Sequence, residues 1–249
     1  MDLAPEKANW EDFASQDPMW AVLSRTDRKY GGWDQDEFYA TGEEQVAEIM
    51  DHAASFGRPV RREAALDFGS GLGRLTRALA ARFDRAVGID ISQTMVDNAT
   101  RFNAHVENVE FRVNARPDLS VFEDGSFDMV NTRIVLQHLP SREVVEGYVR
   151  EFLRVLRDDG LLVFQLPSHL PLPVRLQPRR RAYLVLRRLG LPPKFLYWRL
   201  GLHPNRMLAI PKDEVVAFLE RNGAKVLDVV TRTEPDVHDF EESVYFVTK

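Results

Sequence analysis

Among its 249 residues the chain has no cysteine. That excludes a disulfide framework, a cysteine nucleophile and any thiolate metal site, so the fold must be held by packing alone. Apolar runs are short: none approaches the ~18 residues that span a bilayer. The opening MDLAPEKANW has neither the basic segment nor the apolar run of a signal peptide, so a cytoplasmic protein is expected. Acidic residues are missing from one stretch altogether. From Gly160 to Lys212 there is no Asp or Glu, yet ten cations occur: Arg175, Arg179, Arg180, Arg181, Arg187, Arg188, Lys194, Arg199, Arg206 and Lys212. The other residues carry 23 basic against 38 acidic side chains, a net of −15 beneath an overall charge of −5. Such segregation needs a physical explanation. What is present, 44% hydrophobic and 29% charged residues, belongs to a folded globular chain.

Along the chain, organisation changes three times. Residues 1–60 are acidic and aromatic, with Trp10, Phe13, Trp20, Trp33 and Tyr39, and read as a helical arm. Thr41 with Glu44 three residues later resembles a capping box, which predicts a helix from there to about Phe56. From residue 61 to 166, short apolar strands alternate with amphipathic helices: Ala64–Phe68, Ala86–Asp90, Val109–Val113, Phe127–Asn131 and Leu161–Leu166 are the strands. Continuous apolar strands separated by helices predict a parallel sheet covered on both faces. The cationic residues 167–211 hold eight of the fourteen prolines and interrupt that rhythm as an insertion. In residues 212–249 a helix over 213–222 precedes strands at 225–230 and 244–247, close enough to form an antiparallel hairpin. The expectation is therefore one α/β domain: a Rossmann-like, mostly parallel sheet of seven strands, the last antiparallel. An arm precedes it and a helical lid follows strand five.

The strongest local signal is Leu66-Asp67-Phe68-Gly69-Ser70-Gly71-Leu72-Gly73-Arg74. A strand ends on an acid, the chain turns through three glycines, and a helix begins. Glycines let backbone approach a ligand closely, and a helix start offers amides. A dinucleotide loop wants its third glycine where Arg74 stands; the spacing here is D-x-G-x-G-x-G. This resembles motif I of the class I S-adenosylmethionine-dependent methyltransferases. Asp90 at the end of strand two, Ile91 to Val96, Asn114-Ala115, Glu123 to Val130, Val135-Leu136-Gln137-His138-Leu139-Pro140 and Leu156 to Phe164 resemble the family's later blocks. The likeness is close over residues 40–166 and loose over 212–249.

The resemblance implies S-adenosylmethionine as cofactor. It implies Asp90 for the ribose, Asp67 and the amides of Gly69, Gly71 and Gly73 for the amino-acid end, and Ile91, Met95, Asn114 and Ala115 near adenine. It also implies a flap carrying Trp33, Tyr39 and Thr41 at the methionine end. His138 is the candidate base for an alcohol acceptor, with a structural role weighed equally; His169, His203, Glu43 and Glu44 are alternatives. No carboxylate cluster spaced for a metal stands out. The expected reaction is O-methylation of a small molecule such as a sugar, glycoside or natural product. N-methylation, a nucleotide-cofactor oxidoreductase and a cofactor-binding module without turnover are alternatives. The basic insertion is read three ways: grip on an anionic or polyhydroxylated acceptor, contact with a membrane surface, or docking on the acidic arm or another subunit. Nucleic acid is not expected, since the acidic remainder opposes a broad phosphate-binding surface. Monomer and homodimer stay open.

Overall fold

The computed structural model describes residues 3–233 and 240–249. The arm comprises α1 (Ala4–Gln16) and α2 (Pro18–Val22), followed by α3 (Gln35–Ala54). The core runs β1 (Ala64–Phe68), α4 (Arg74–Ala80), β2 (Arg85–Asp90), α5 (Gln93–Phe102), β3 (Val109–Val113), β4 (Phe127–Thr132), α6 (Arg142–Val155) and β5 (Leu156–His169). The insertion holds α7 (Leu172–Leu176), α8 (Pro178–Arg188) and α9 (Pro193–Leu200). After it come α10 (Lys212–Arg221), β6 (Lys225–Thr233) and β7 (Glu241–Thr248). The predicted connection between the last two strands falls largely on residues 234–239, outside the described residues.

The seven strands lie in the order β3-β2-β1-β4-β5-β7-β6. The first five are mutually parallel, and β7 runs antiparallel to both β5 and β6. This is the expected Rossmann-like sheet, and the hairpin is present with β6 outermost. Alternation along each strand decides what goes where. Leu66, Val130, Leu162 and Phe164 point to a core shared with Val145, Val149 and Phe152 of α6 and Phe218 of α10. Ala65, Met129, Leu161 and Val163 point the other way, to Val46, Ile49 and Met50 of α3 and Leu75 and Leu79 of α4. Each such side chain withdrawn from water contributes about 1.5–3 kcal/mol. Phe127 pairs with Leu156 but Met129 with Leu161, so residues 157–160 bulge out of the ladder where the sequence placed a turn.

One boundary moves. The third helix starts six residues before Thr41, because Asp34 accepts from the Glu37 amide at 3.0 Å and so caps the chain earlier. Thr41 lies inside the helix, its hydroxyl donating to the Phe38 carbonyl at 2.6 Å.

A third apolar cluster attaches the arm. Phe13, Trp20, Trp33, Phe38 and Tyr39 pack with Leu72, Met95 and Tyr197, so arm, core and insertion meet in one place. The Tyr197 hydroxyl donates to Asp17 at 3.0 Å. Glu11 accepts from the Gln93 amide at 2.7 Å, the Ser92 hydroxyl at 3.0 Å and the Thr94 amide at 3.2 Å, clamping α1 to the start of α5.

Candidate active site

In an open parallel sheet, the crevice lies beyond the carboxyl ends of the strands where the order reverses. Here that point lies between β1 and β4, and a cavity of about 1010 Å³, counted to its open mouth, occupies it. Its floor is the loop after β1, its flanks are the segments after β2 and β4, and its far wall is the arm, through Leu3, Glu6, Trp10 and Val22.

The loop requires its glycines. Gly69 has φ +73°, and a Cβ there would stand 2.3 Å from Cγ2 of Val135 on the loop after β4. Gly71 has φ +51°, and its Cβ would meet Cγ2 of Val22 in the arm at 2.4 Å. Their amides are not open, as the sequence reading assumed. Those of Gly69 and Ser70 donate to the Ile89 carbonyl, that of Gly71 to Asp90, and that of Gly73 to the Ser70 carbonyl. The peptide groups thus fold the loop upon itself. Gly73 is outside the cavity wall; the position its Cβ would take lies 2.4 Å from the Phe111 ring.

Asp90 sits at the cavity with one carboxylate oxygen accepting from Gly71 at 2.9 Å and the other from the Ser92 amide at 2.9 Å. With a further backbone hydrogen bond from Ile91, the carboxylate still keeps an open lone pair for a hydroxyl donor. Burial pushes this carboxyl up to about 6, against the pull of the hydrogen bonds from Ser92, Gly71 and Ile91 and with a further rise from Asp67. Asp67 also lines the cavity, but both its oxygens are engaged, by the Thr76 hydroxyl at 2.7 Å and the Asn131 amide at 3.2 Å. It braces the end of β1, and burial raises its carboxyl above the usual range.

Ile91, Met95 and Asn114 line the cavity as expected; the Asn114 side chain donates to the Asp118 carbonyl. Ala115 is exposed and lies outside the wall. Trp33, Tyr39 and Thr41 also fall outside it. The Trp33 indole donates to the Leu23 carbonyl and its ring lies under Arg25 and Arg28, while the Tyr39 hydroxyl donates to the Leu72 carbonyl. The aromatic that the arm contributes to the wall is Trp10 instead.

His138 follows β4 in a 3-10 turn spanning Leu136–His138, and its ring lines the cavity. Its Nδ1 lies 2.6 Å from the Arg206 carbonyl oxygen. A carbonyl only accepts, so Nδ1 carries the hydrogen and Nε2 of the neutral ring is left with a lone pair. Burial holds the imidazole below its ordinary value, the Arg206 carbonyl working the other way, so the ring is neutral at pH 7. The bond to the carbonyl is the one the structural reading expected, and it leaves Nε2 as the basic nitrogen. Trp10 packs against the imidazole with centroids 5.5 Å apart. None of the alternative bases lines the cavity. His203 is packed beside Phe13 and Trp20, and burial pushes it down to about 4. His169 borders a separate surface groove, Glu43 pairs with Arg77, and Glu44 is exposed.

Three contributors were not legible beforehand. Arg74, 4% exposed, lines the cavity while its guanidinium reaches Gln45 at 2.8 Å and Thr41 at 3.3 Å. Burial pulls it down to about 10, with Asp67 opposing. Arg133 stands on the other flank and donates to Glu242 at 3.2 Å. Among the described residues the Nε atoms of both arginines and the Ser70 hydroxyl lack hydrogen-bond partners. Glu6 is the third, at the arm side. Arg74 directly follows the glycine loop and was visible there as the residue that breaks a dinucleotide pattern. Next to Arg133, Ile134 takes φ +58°, a strained value for a β-branched residue, held by its amide donating to Gln165 at 2.6 Å. Among the described residues no group of three His, Asp or Glu side chains could hold a metal ion. Likewise, no helix is long and apolar enough to cross a membrane.

Comparison with known proteins bears on this site. Residues 66–164 match the family model described as a methyltransferase domain. The uncharacterized methyltransferase YcgJ of Bacillus subtilis is 35% identical over 97 residues, 38% of this chain and 37% of that protein. A demethylmenaquinone methyltransferase of Clavibacter sepedonicus is 36% identical over 118 residues, 47% of this chain and 46% of the relative. Phosphoethanolamine N-methyltransferase 3 of Arabidopsis thaliana is 26% identical over 113 residues, 45% of this chain and 23% of the relative. The chain thus spans less than half the length of these curated relatives. Among solved structures, magnesium protoporphyrin IX methyltransferase of Synechocystis with bound SAH superposes with TM-score 0.64 at 18% identity, covering 100% of both chains. An S-adenosylmethionine-dependent methyltransferase of Clostridium acetobutylicum gives 0.60 at 13% identity, covering 92% and 96%. At such identities the likeness is one of fold.

Proposed function

We propose that this chain is an S-adenosylmethionine-dependent methyltransferase that methylates a hydroxyl of a small-molecule acceptor: residues 66–164 match the methyltransferase-domain model, and the fold is that of solved S-adenosylmethionine-dependent methyltransferases. The cavity suits the cofactor. Asp90 offers lone pairs to ribose hydroxyls, Met95 and Ile91 give an apolar face for adenine, and Arg74 and Arg133 supply positive charge for a carboxylate. Bound there, S-adenosylmethionine supplies an electrophilic methyl group on a sulfonium.

The observation that carries the hydroxyl reading is His138. An alcohol must lose its proton as the oxygen attacks carbon, and Nε2 is an unprotonated nitrogen in the cavity wall that can take it. As the proton arrives on Nε2, the Arg206 carbonyl stabilises the positive charge through Nδ1. With S-adenosylmethionine held there, the O–C bond would form as the C–S bond broke, and a neutral thioether would be released. The chain's main work is alignment: nucleophile and methyl group held in line at close range.

A compartment of about 280 Å³ adjoins the cavity at Glu6, Trp10 and His138 and is flanked by Arg180 and Arg206 of the insertion. Guanidinium forks donate to carboxylate, phosphate and hydroxyl oxygens. We infer that the acceptor carries an anionic or polyhydroxylated end there. N-methylation is the second reading, favoured by the likeness to the Arabidopsis phosphoethanolamine N-methyltransferase. A screen with radiolabelled methyl donor over sugars, glycosides, phenols, acids and amines tests the proposal. The expected product is a methyl ether, and label on a carboxylate or on nitrogen alone sinks the hydroxyl reading.

A further inference from the structure

The basic insertion is half explained by the arm. Its inner side is fastened there: Tyr183, Leu196 and Tyr197 are buried, Tyr197 bonds Asp17, and Lys29 lies 5.1 Å from the Tyr197 ring centre. Charge neutralisation is not what fastens it. Of the ten cations between Gly160 and Lys212, only Arg206 makes an ion pair among the described residues, with Glu6 at 3.9 Å. Arg187 influences the Asp12 carboxyl at longer range. The reading that the lid neutralises the acidic arm therefore accounts for little of its charge.

The outer side is apolar as well as cationic. Eight of the eleven large apolar side chains exposed among the described residues fall between positions 172 and 200, although this segment is a small part of the chain. Leu189 is 71% exposed, Leu172 64% and Val185 58%. Along α8, Arg181, Leu184 with Val185, and Arg188 with Leu189 recur at three- to four-residue spacing, so one face mixes guanidinium groups with aliphatic chains. Phe195 and Trp198 of α9 are exposed in the same segment.

We propose that this face of the insertion docks on an anionic lipid surface, with α8 lying in the interface, its aliphatic side chains among the acyl boundary and its arginines at the headgroups. Charge and apolarity together select the partner. A membrane interface takes both, whereas a nucleic-acid backbone engages the cations and leaves exposed leucines in water. The acidic remainder, net −15, is repelled by the same surface and turns the molecule insertion-first. Arg180 of α8 and Arg206 of the return segment flank the compartment at His138, so the docking insertion is the one that borders the acceptor compartment.

The test is co-sedimentation of the full chain with extruded vesicles of phosphatidylcholine alone and of phosphatidylcholine mixed with phosphatidylglycerol. Binding to the mixed vesicles, absent from the neutral ones and weakening with salt, is expected. The double variant Arg181→Glu/Arg188→Glu should bind more than tenfold more weakly, since each basic residue lost near an anionic surface reduces affinity roughly fivefold. Val185→Ser/Leu189→Ser should also weaken it while leaving the circular dichroism unchanged. Failure of the intact chain to bind mixed vesicles at low salt overturns the proposal, as does binding by both variants as tight as that of the parent. Binding to polyglutamate without binding to vesicles also overturns it and points to an acidic protein partner. Because the readout is sedimentation, it stands or falls apart from the methyl-transfer reading.

Discussion

His138 and Arg206 are 68 positions apart, yet the imidazole Nδ1 donates to the arginine's backbone carbonyl at 2.6 Å. That contact joins the turn after β4 to the return segment of the insertion and determines which ring nitrogen is basic. His138→Ala or His138→Gln should therefore lose turnover by about 10²–10⁴-fold, with cofactor affinity within twofold of the parent. A pH profile separates the base from a structural ring. The base is active when neutral, and burial holds its value below 6.5, so kcat should fall only as the pH drops below about 6.5. An acid limb that is the same in His138→Gln as in the parent removes His138 from proton transfer.

Asp90 gives a second pH dependence. Its carboxyl is held up at about 6, and the ionised form is the better acceptor for ribose hydroxyls. Cofactor affinity measured by calorimetry should weaken as pH falls through about 6, and Asp90→Ala should lower it at least tenfold at pH 7.5. Unchanged affinity would refute the ribose role.

The glycine loop and the arm make a paired test. Gly71→Ala places a methyl group 2.4 Å from Cγ2 of Val22 at φ +51°, which costs about 1–3 kcal/mol by strain and displacement. Adding Val22→Ala removes the obstructing methyl and should recover part of the loss in thermal unfolding. No recovery would mean that the backbone angle alone carries the cost.

Glu11 clamps α1 to the amino end of α5. Burial acts against its charge, but hydrogen bonds from Thr94, Gln93 and Ser92 outweigh it and hold the carboxyl below 4.5. A depressed folded value stabilises the docked arm above the unfolded value of about 4.5 and loses that contribution as pH falls through the lower folded value. Glu11→Ala should cost about 1 kcal/mol, as loss of a helix cap does. Limited proteolysis should then cut the arm faster at neutral pH, while the sheet keeps its hydrogen-exchange protection. Equal cutting rates would show that the aromatic cluster alone holds the arm.

How far the sequence revealed this molecule follows from the range of the forces involved. Strands such as Leu161–Leu166 and the loop at Gly69 are specified by neighbouring residues, through apolar continuity and obligatory positive φ, and were legible at once. Asp90 was legible for the same reason, as an acid ending an apolar strand. Thr41 misled because two box-like patterns overlap and Asp34, the earlier one, caps the helix. The occupied amides of Gly69, Gly71 and Gly73 could not be foreseen, since the acceptors for the first two lie on another strand, at Ile89 and Asp90. Nor could the arm's share of the cavity wall. Trp10 and Trp33 have the same composition signal, and only tertiary docking puts one at the cavity and the other under Arg25 and Arg28.

The position of β7 between β5 and β6 imposes an order on assembly. Strands β1 to β5 find their neighbours among segments made before or shortly after them, each through a crossover helix or short loop. Among the described residues the only ladder partner of β6 is β7, which is made later, so a nascent chain emerging from the ribosome holds β6 and α10 as unfinished pieces beside an exposed β5 edge. Closure of the sheet is therefore a late, single event, and the interval before it is when this chain most needs protection from pairing with another copy of itself.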